Sequence, residues 1–179
     1  MANTESDILE TSRDAFIEQW GILGSRWGIN RTIGRVQALL IASVEALSTD
    51  DVMERLQISR GNAHGALKEL VNWGLASQTL VPGDRKDYYV AEKEPWRIFT
   101  IVARERKRRE IVPALETLKT CERDTSGLKG AEGRAFHAEM KELADFVDVM
   151  SVAMDWVATS ERGTVLNLVM KQIRKRSAV

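Results

Sequence analysis

A single cysteine, Cys121, rules out an internal disulfide in this chain of 179 residues. No run of eighteen apolar residues occurs, which argues against a membrane-spanning helix, and no secretory leader is read at the start. The expectation is a soluble, cytoplasmic protein with no membrane partner. The two histidines, His64 and His137, lie far apart and make no metal-ligand pattern with Cys121. The glycines of GILG and NWG are isolated and form no phosphate-cradling loop. Nothing points to a nucleophile with its base, so no enzyme, metal or cofactor is expected. Net charge is zero, which removes the simplest signature of a nucleic-acid binder.

The charge that is present is segregated. Residues 85–109 hold nine basic and four acidic side chains, and residues 171–176 hold four basic and no acidic ones. Residues 1–18 carry five acids and one base, and residues 136–161 carry six acids and one base. One face of a neutral protein can therefore be positive. With 44% hydrophobic and 29% charged residues, the composition is globular rather than disordered. The length suits one domain, or one domain with an extension.

Residues 48–74, STDDVMERLQISRGNAHGALKELVNWG, read as two short amphipathic helices joined by a tight turn. Ser48 is placed to cap the first, with Asp51 at its third position. Leu47 and Val52 are spaced as a hydrophobic staple. Val52, Met53 and Leu56 should face inward. Gln57 and Ile58 make the turn, and Ser59 caps the second helix. There Ala63, Ala66, Leu67, Leu70 and Val71 form one buried stripe. The opposite face carries Gly61, Gly65, Lys68 and Asn72, flanked by Arg60, Asn62 and His64. The two glycines cost helix stability but remove bulk where a helix must approach a groove. Arg and Asn can form bidentate contacts with guanine and adenine edges. Gly74 stops the helix. This is the outline of a helix-turn-helix with residues 59–73 as the reading helix.

Residues 75–91, LASQTLVPGDRKDYYVA, follow at once. Residues 75–81 have strand character, Pro82-Gly83-Asp84 is turn chemistry, and residues 87–90 begin a return strand. Tyr88 and Tyr89 should point to opposite faces. A reading helix followed by a hairpin predicts a winged helix-turn-helix. Its wing, residues 80–90, presents Arg85 and Lys86 to a minor groove or to phosphates.

The flanks read as helical. Phe16, Trp20, Leu23 and Trp27 form one apolar stripe, with Gly28 as stop and Asn30 as the next cap. Ile33, Val36, Leu40 and Val44 should face inward on the helix that follows. Pro95 suits a first helical turn, with Trp96, Phe99, Val102 and Ala103 on its apolar face. The basic run 104–110 reads as a solvated face, a phosphate-facing surface or an intersubunit ion-pair layer. Pro113 should kink or interrupt this helix, which resumes through Leu115 and Leu118. Residues 122–133 read as a polar loop. A long helix then carries Phe136, Met140, Leu143, Val147, Met150, Met154 and Val157 as its stripe. Val165, Leu168, Val169 and Ile173 mark a last helix ending in the basic tail.

Long striped helices outside a winged helix suggest a homodimer, which would present two reading helices to a pseudo-palindromic operator in double-stranded DNA. The expected fold class is mainly α with a small β-hairpin wing: a winged helix-turn-helix with N- and C-terminal dimerisation helices. The expected segments are 1–30 (N-terminal helix, dimer contact), 31–94 (DNA-binding domain) and 95–179 (dimerisation and effector region). Expected DNA contacts are Ser59, Arg60, Gly61, Asn62, His64, Lys68, Arg85 and Lys86. The rival reading is a winged-helix module that binds protein, or one that coats DNA without sequence preference.

Three stretches resemble the GbsR branch of the GbsR/MarR-type transcriptional regulators. They are FIEQWGILGSRWGINRTIGRVQALL (16–40), LSTDDVMERLQISRGNAHGALKELVNWGL (47–75) and GDRKDYYVAEKEPWRIFTIVARERKRREI (83–111). The resemblance spans roughly residues 10–120; beyond that it is architectural. It implies a homodimeric winged helix-turn-helix regulator, usually a repressor, released by a small effector that in some relatives is choline- or betaine-like. A quaternary ammonium needs an aromatic cage, for which Trp20, Trp27, Trp96 and Trp156 are the candidates. The resemblance also raises Cys121 as a redox switch, with Lys119 and Arg123 close enough to lower its pKa; a thiol without function is the simpler account.

Overall fold

The computed structural model describes residues 4–161, 163 and 164. The expected last helix and its basic tail (165–176) lie outside them. The chain divides into two compact units, Met1–Ile98 and Phe99–Val179.

In the first unit, α1 spans Glu5–Arg26 and opens on a reciprocal cap. Asp7 N–H donates to Thr4 Oγ1 at 3.2 Å, and Thr4 N–H donates to Asp7 Oδ2 at 3.0 Å. The helix ends at Trp27, and Gly28 takes φ 77°, a left-handed turn that suits glycine. Asn30 then caps α2 (Arg31–Ala42) by accepting from Thr32 N–H at 2.8 Å. Helices α1 and α2 cross where Gly21 meets Gly34: a Cβ on Gly34 would stand 3.1 Å from Gly21 Cα. The small residues let the two backbones touch. This crossing moves the buried face of α1. Ile17 and Gly21 are buried, Phe16 and Trp20 are half-buried, and Leu23 and Trp27 are exposed. The stripe 16-20-23-27 is thus not the packed one. Val44, expected inward, is 88% exposed because α2 stops at Ala42. On α2, Val36, Ala38, Leu39 and Leu40 are core.

A two-residue strand, β1 (Leu47–Ser48), leads into α3 (Thr49–Leu56) and α4 (Arg60–Trp73). Then come β2 (Ala76–Thr79) and β3 (Tyr88–Ala91). The sheet is antiparallel in the order β1-β3-β2, with Ser48 opposite Tyr88 and Gln78 opposite Tyr89. Strand β1 was not foreseen, because the same residue that caps α3 also pairs with the wing. Strand β2 is shorter than its pattern at 75–81, and β3 is displaced by one residue from the pattern at 87–90. Tyr89 is buried and Tyr88 half-exposed, as alternation requires. The core joins Val36, Leu40, Val52, Leu56, Leu67, Leu70, Leu75 and Tyr89.

The unit boundary falls inside α5 (Pro95–Arg106), where Thr100 is buried while Phe99, expected on the apolar face, is exposed. A π turn, Lys107–Ile111, follows, then α6 (Val112–Thr125). Pro113 sits in the first turn of α6, so the interruption falls before the proline, where the wider π turn absorbs it. Helix α6 extends to Thr125 and α7 (Ala131–Thr159) begins directly after Gly130, so the loop is confined to residues 126–130 rather than 122–133. The two helices pack on each other as an αα-hairpin. The packed seam of α7 runs through Gly133, His137, Met140, Ala144, Val147, Ser151 and Met154, alternating four- and three-residue steps. Small residues at Ala144 and Ser151 permit the approach. Phe136, Leu143 and Met150 of the expected stripe are instead exposed, along with Phe146, Val149, Val152 and Trp156.

Candidate nucleic-acid interface

The candidate interface is assembled from α3, α4 and the wing, all within the first unit. Ser48 and Asp51 close a capping box on α3: Ser48 N–H and Oγ–H both donate to Asp51 Oδ2 at 2.7 Å, and Asp51 N–H donates to Ser48 Oγ at 3.3 Å. Gln57 takes the left-handed conformation (φ 53°) and turns the chain. Ser59 then caps α4 by accepting from Asn62 N–H at 3.3 Å. Ala63, Ala66, Leu67 and Leu70 anchor α4 in the core. The remaining face carries Arg60, Gly61, Asn62, His64, Gly65, Lys68 and Asn72, all exposed. Gly74 (φ 81°) ends the helix. A Cβ at Gly61 or Gly65 would meet nothing within 4 Å. Nothing in the protein's own packing calls for glycine there.

The wing is stiffened by Asp84, which accepts from Lys86 N–H at 3.0 Å and from the Tyr88 hydroxyl at 2.8 Å. These bonds, the Lys86 backbone first, hold the Asp84 carboxyl below its usual range. They also raise the Tyr88 phenol, chiefly through its hydrogen bond to Asp84. Arg85 and Lys86 are exposed at the tip.

Between α4 and the wing lies a cavity of about 240 Å³ that gathers Arg60, His64, Arg85 and Lys86 of the expected contacts. Ser59, Gly61, Asn62 and Lys68 stay on the helix outside it. Sequence reasoning missed one member, Asp50. Arg60 Nη2 approaches its Oδ1 at 2.5 Å and Lys86 Nζ its Oδ2 at 3.1 Å. The hydrogen bond from Lys86, then that from Arg60, lowers the Asp50 pKa, and the same contact raises that of Lys86. The Asp50-Asp51 pair was the available signal, but only Asp51 was read, as the cap.

The basic run beyond the wing is partly paired within its own helical segment. Glu105 takes Arg108 at 2.8 Å and Arg109 at 3.2 Å, which lowers its pKa, Arg108 first. Lys107 pairs with Asp155 of α7. Among the tryptophans, the Trp20 indole N–H donates to buried Gln37 Oε1 at 3.1 Å and its ring tilts against Phe16 at 5.5 Å. Trp27 is the exposed cap of α1, Trp96 is half-buried in the first turn of α5, and Trp156 is exposed on α7 in the second unit. Cys121 is half-buried on α6. Among the described residues no group of acidic, His or Cys side chains is arranged to hold a metal, and no helix is long and apolar enough to cross a membrane.

No protein-family model matches the chain. It is 24% identical over 157 residues to the HTH-type transcriptional repressor GbsR of Bacillus subtilis (strain 168), covering 87% of each chain. The HTH-type transcriptional repressor OpcR of the same organism is 23% identical over 99 residues, 55% of this chain and 54% of OpcR. The putative HTH-type transcriptional regulator YvaV is 24% identical over 92 residues, about half of each chain. A crystal structure of a transcriptional regulator shares the fold, with a TM-score of 0.63 and 21% identity over 82% of this chain and 95% of that one. Over most of its length the chain is thus similar in sequence to the GbsR repressor, and it shares its fold with a solved transcriptional regulator.

Proposed function

We propose that the chain is a DNA-binding transcriptional regulator, a repressor, that reads duplex DNA with α4 in the major groove and the wing on the minor groove or backbone. The observation that carries this is the outer face of α4. It is polar, uncovered and cut back by two glycines for which the protein itself has no use. Arg60 and Asn62 are the chemistry that reads guanine and adenine edges. Arg85, Lys86 and Lys68 are the chemistry that meets phosphate. The GbsR and OpcR relatives, named as repressors, favour the same reading and its sign.

The active form is a homodimer. The apolar residues left exposed on α7, with Phe146 at 64%, and those on α1, with Trp27 at 55%, are surfaces that a second copy would cover. Two copies of α4 would then meet half-sites about one helical turn apart. The segments 1–30, 31–94 and 95–179 would divide dimer contact, DNA reading, and dimerisation with effector response. A small effector, choline- or betaine-like, would release the operator, with Trp20, Trp27 and Trp96 in the first unit, or Trp156 in the second, as aromatic material for its site.

Genome-wide footprinting of the purified protein, repeated with choline and with glycine betaine, tests the reading. Discrete palindromic sites support the regulator. A uniform footprint would support a DNA-coating protein, and no footprint a protein-binding module.

A further inference from the structure

We infer that Asp50 is an internal competitor for DNA phosphate and lowers the affinity of this face for any duplex. The inference rests on the DNA-reading proposal. Asp50 stands at the second position of α3 with its two oxygens turned to different elements. One meets Arg60 on the reading helix at 2.5 Å, the other Lys86 on the wing at 3.1 Å. The cations are 67% and 54% exposed in their side chains, so neither is buried for structural reasons. Both line one open cavity with Arg85 and His64. A single carboxylate thus holds together, between helix and wing, one cation assigned to base edges and one assigned to phosphate.

The consequence follows from exchange. A duplex must displace Asp50 from Arg60 and Lys86 and must accept a fixed negative charge beside its backbone. Every duplex meets that cost, so Asp50 lowers operator and random affinity by the same factor. An operator that adds base contacts from Arg60 and Asn62 still binds at protein concentrations where a duplex held by phosphate contacts alone is released. The arrangement also links base reading to phosphate grip: Arg60 and Lys86 leave one anion together.

The test uses the full-length protein, its footprinted operator duplex and a scrambled duplex of equal length, with affinities measured across a salt series. Asp50→Asn keeps the shape of the second helical position and removes the charge. It should tighten scrambled and operator duplexes alike, roughly three- to tenfold, and steepen the salt slope by about one phosphate contact. Glu45→Gln makes the same charge change on an exposed residue that lines a different cavity, and should leave both affinities nearly unchanged. Matching unfolding midpoints establish that each variant folds. The inference is overturned if Asp50→Asn weakens both duplexes, which is a structural brace, or changes neither. It is also overturned if Glu45→Gln reproduces the effect. A wild-type protein that selects no site at all would remove the DNA-reading proposal itself, a distinct result.

Discussion

Replacing Gly65 by alanine should make the protein more stable and worse at binding DNA. Gly65 lies in the interior of α4 (Arg60–Trp73) with exposed backbone, and a Cβ there would touch nothing within 4 Å. Glycine in a helix interior costs about 0.8–1 kcal/mol against alanine, mainly in backbone entropy. No clash offsets that gain. For a chain of this size the unfolding midpoint should rise by roughly 2–4 °C. Gly61 sits at the second position of the same helix, where fewer hydrogen bonds depend on it, so Gly61→Ala should gain less, about half as much. The added methyl points along the face proposed to enter the groove. There it would stand between helix and bases, and a loss of about 1.4 kcal/mol, tenfold in affinity, is expected for Gly65→Ala on the operator. Thermal unfolding by circular dichroism and fluorescence anisotropy on labelled operator read the two quantities separately. A variant that is stabilised and binds as well as wild type would refute the argument that these glycines mark a close approach. A variant that loses stability would refute the packing argument beneath it.

Other outcomes follow from the same geometry. Asn62→Ala should cost about 1–3 kcal/mol on the operator and relax sequence preference, seen by site selection. Arg85→Ala should weaken operator and scrambled duplex alike, with a shallower salt dependence in titrations. Gly34→Ala should be the opposite of Gly65→Ala: its methyl would meet Gly21 Cα at 3.1 Å and Trp20 O at 3.4 Å, both backbone. That overpacking should cost about 1–3 kcal/mol in denaturant unfolding. Glu18 accepts from Arg31 at 2.8 Å and meets Arg35 at 2.6 Å, and the Arg31 hydrogen bond first, then the charge of Arg35, lowers its pKa. A carboxyl with a depressed folded pKa contributes stability above its ordinary value and loses it as pH falls through the folded one. Glu18→Gln should therefore lower the unfolding midpoint slightly at neutral pH and match wild type in strong acid; an equal deficit at both would refute the assignment. Phe146→Asp places a charge on the exposed apolar face of α7. It should shift sedimentation from dimer to monomer while helix content is retained.

The parts of the fold legible in the sequence are those decided by local chemistry. Ser48, Ser59 and Asn30 are N-caps because a side-chain oxygen one residue before a helix meets free backbone N–H groups whatever the tertiary context. The stop at Gly74 is local in the same way. Burial of α4 followed its periodicity because one side of that helix is the core of a small domain and the other is solvent. What periodicity could not decide is which of two apolar faces packs. In α1 and in α7 the most deeply packed positions include small residues, Gly21 beside Ile17 in the one and Ala144 and Ser151 in the other. Of the expected α7 stripe, Met140, Val147 and Met154 stay on the packed seam, whereas Phe136, Leu143 and Met150 lie outside it, as do Leu23 and Trp27 in α1. Close helix approach selects small side chains, and hydrophobicity alone ranks those last. The third strand was hidden for another reason: two residues paired with a distant hairpin leave no pattern.

Zero net charge and a face proposed to read DNA are compatible at the level of single ion pairs. Arg60 and Lys86 share Asp50. Exposed pairs of this kind contribute little to stability, about 0–1 kcal/mol each. Their cations are therefore available to any stronger anion. A duplex presents one charge per about 1.7 Å of axis and returns condensed counterions to solution on binding. Exchange of a carboxylate for a phosphate is then favourable locally even though the whole molecule carries no excess charge. Asp50 makes that exchange less favourable for every duplex, so phosphate contacts alone hold DNA weakly and base contacts decide where the protein stays. On this reading a protein with the same cations and no Asp50 would hold operator and random DNA more tightly alike, and would stay on random sequence at concentrations where this one leaves it.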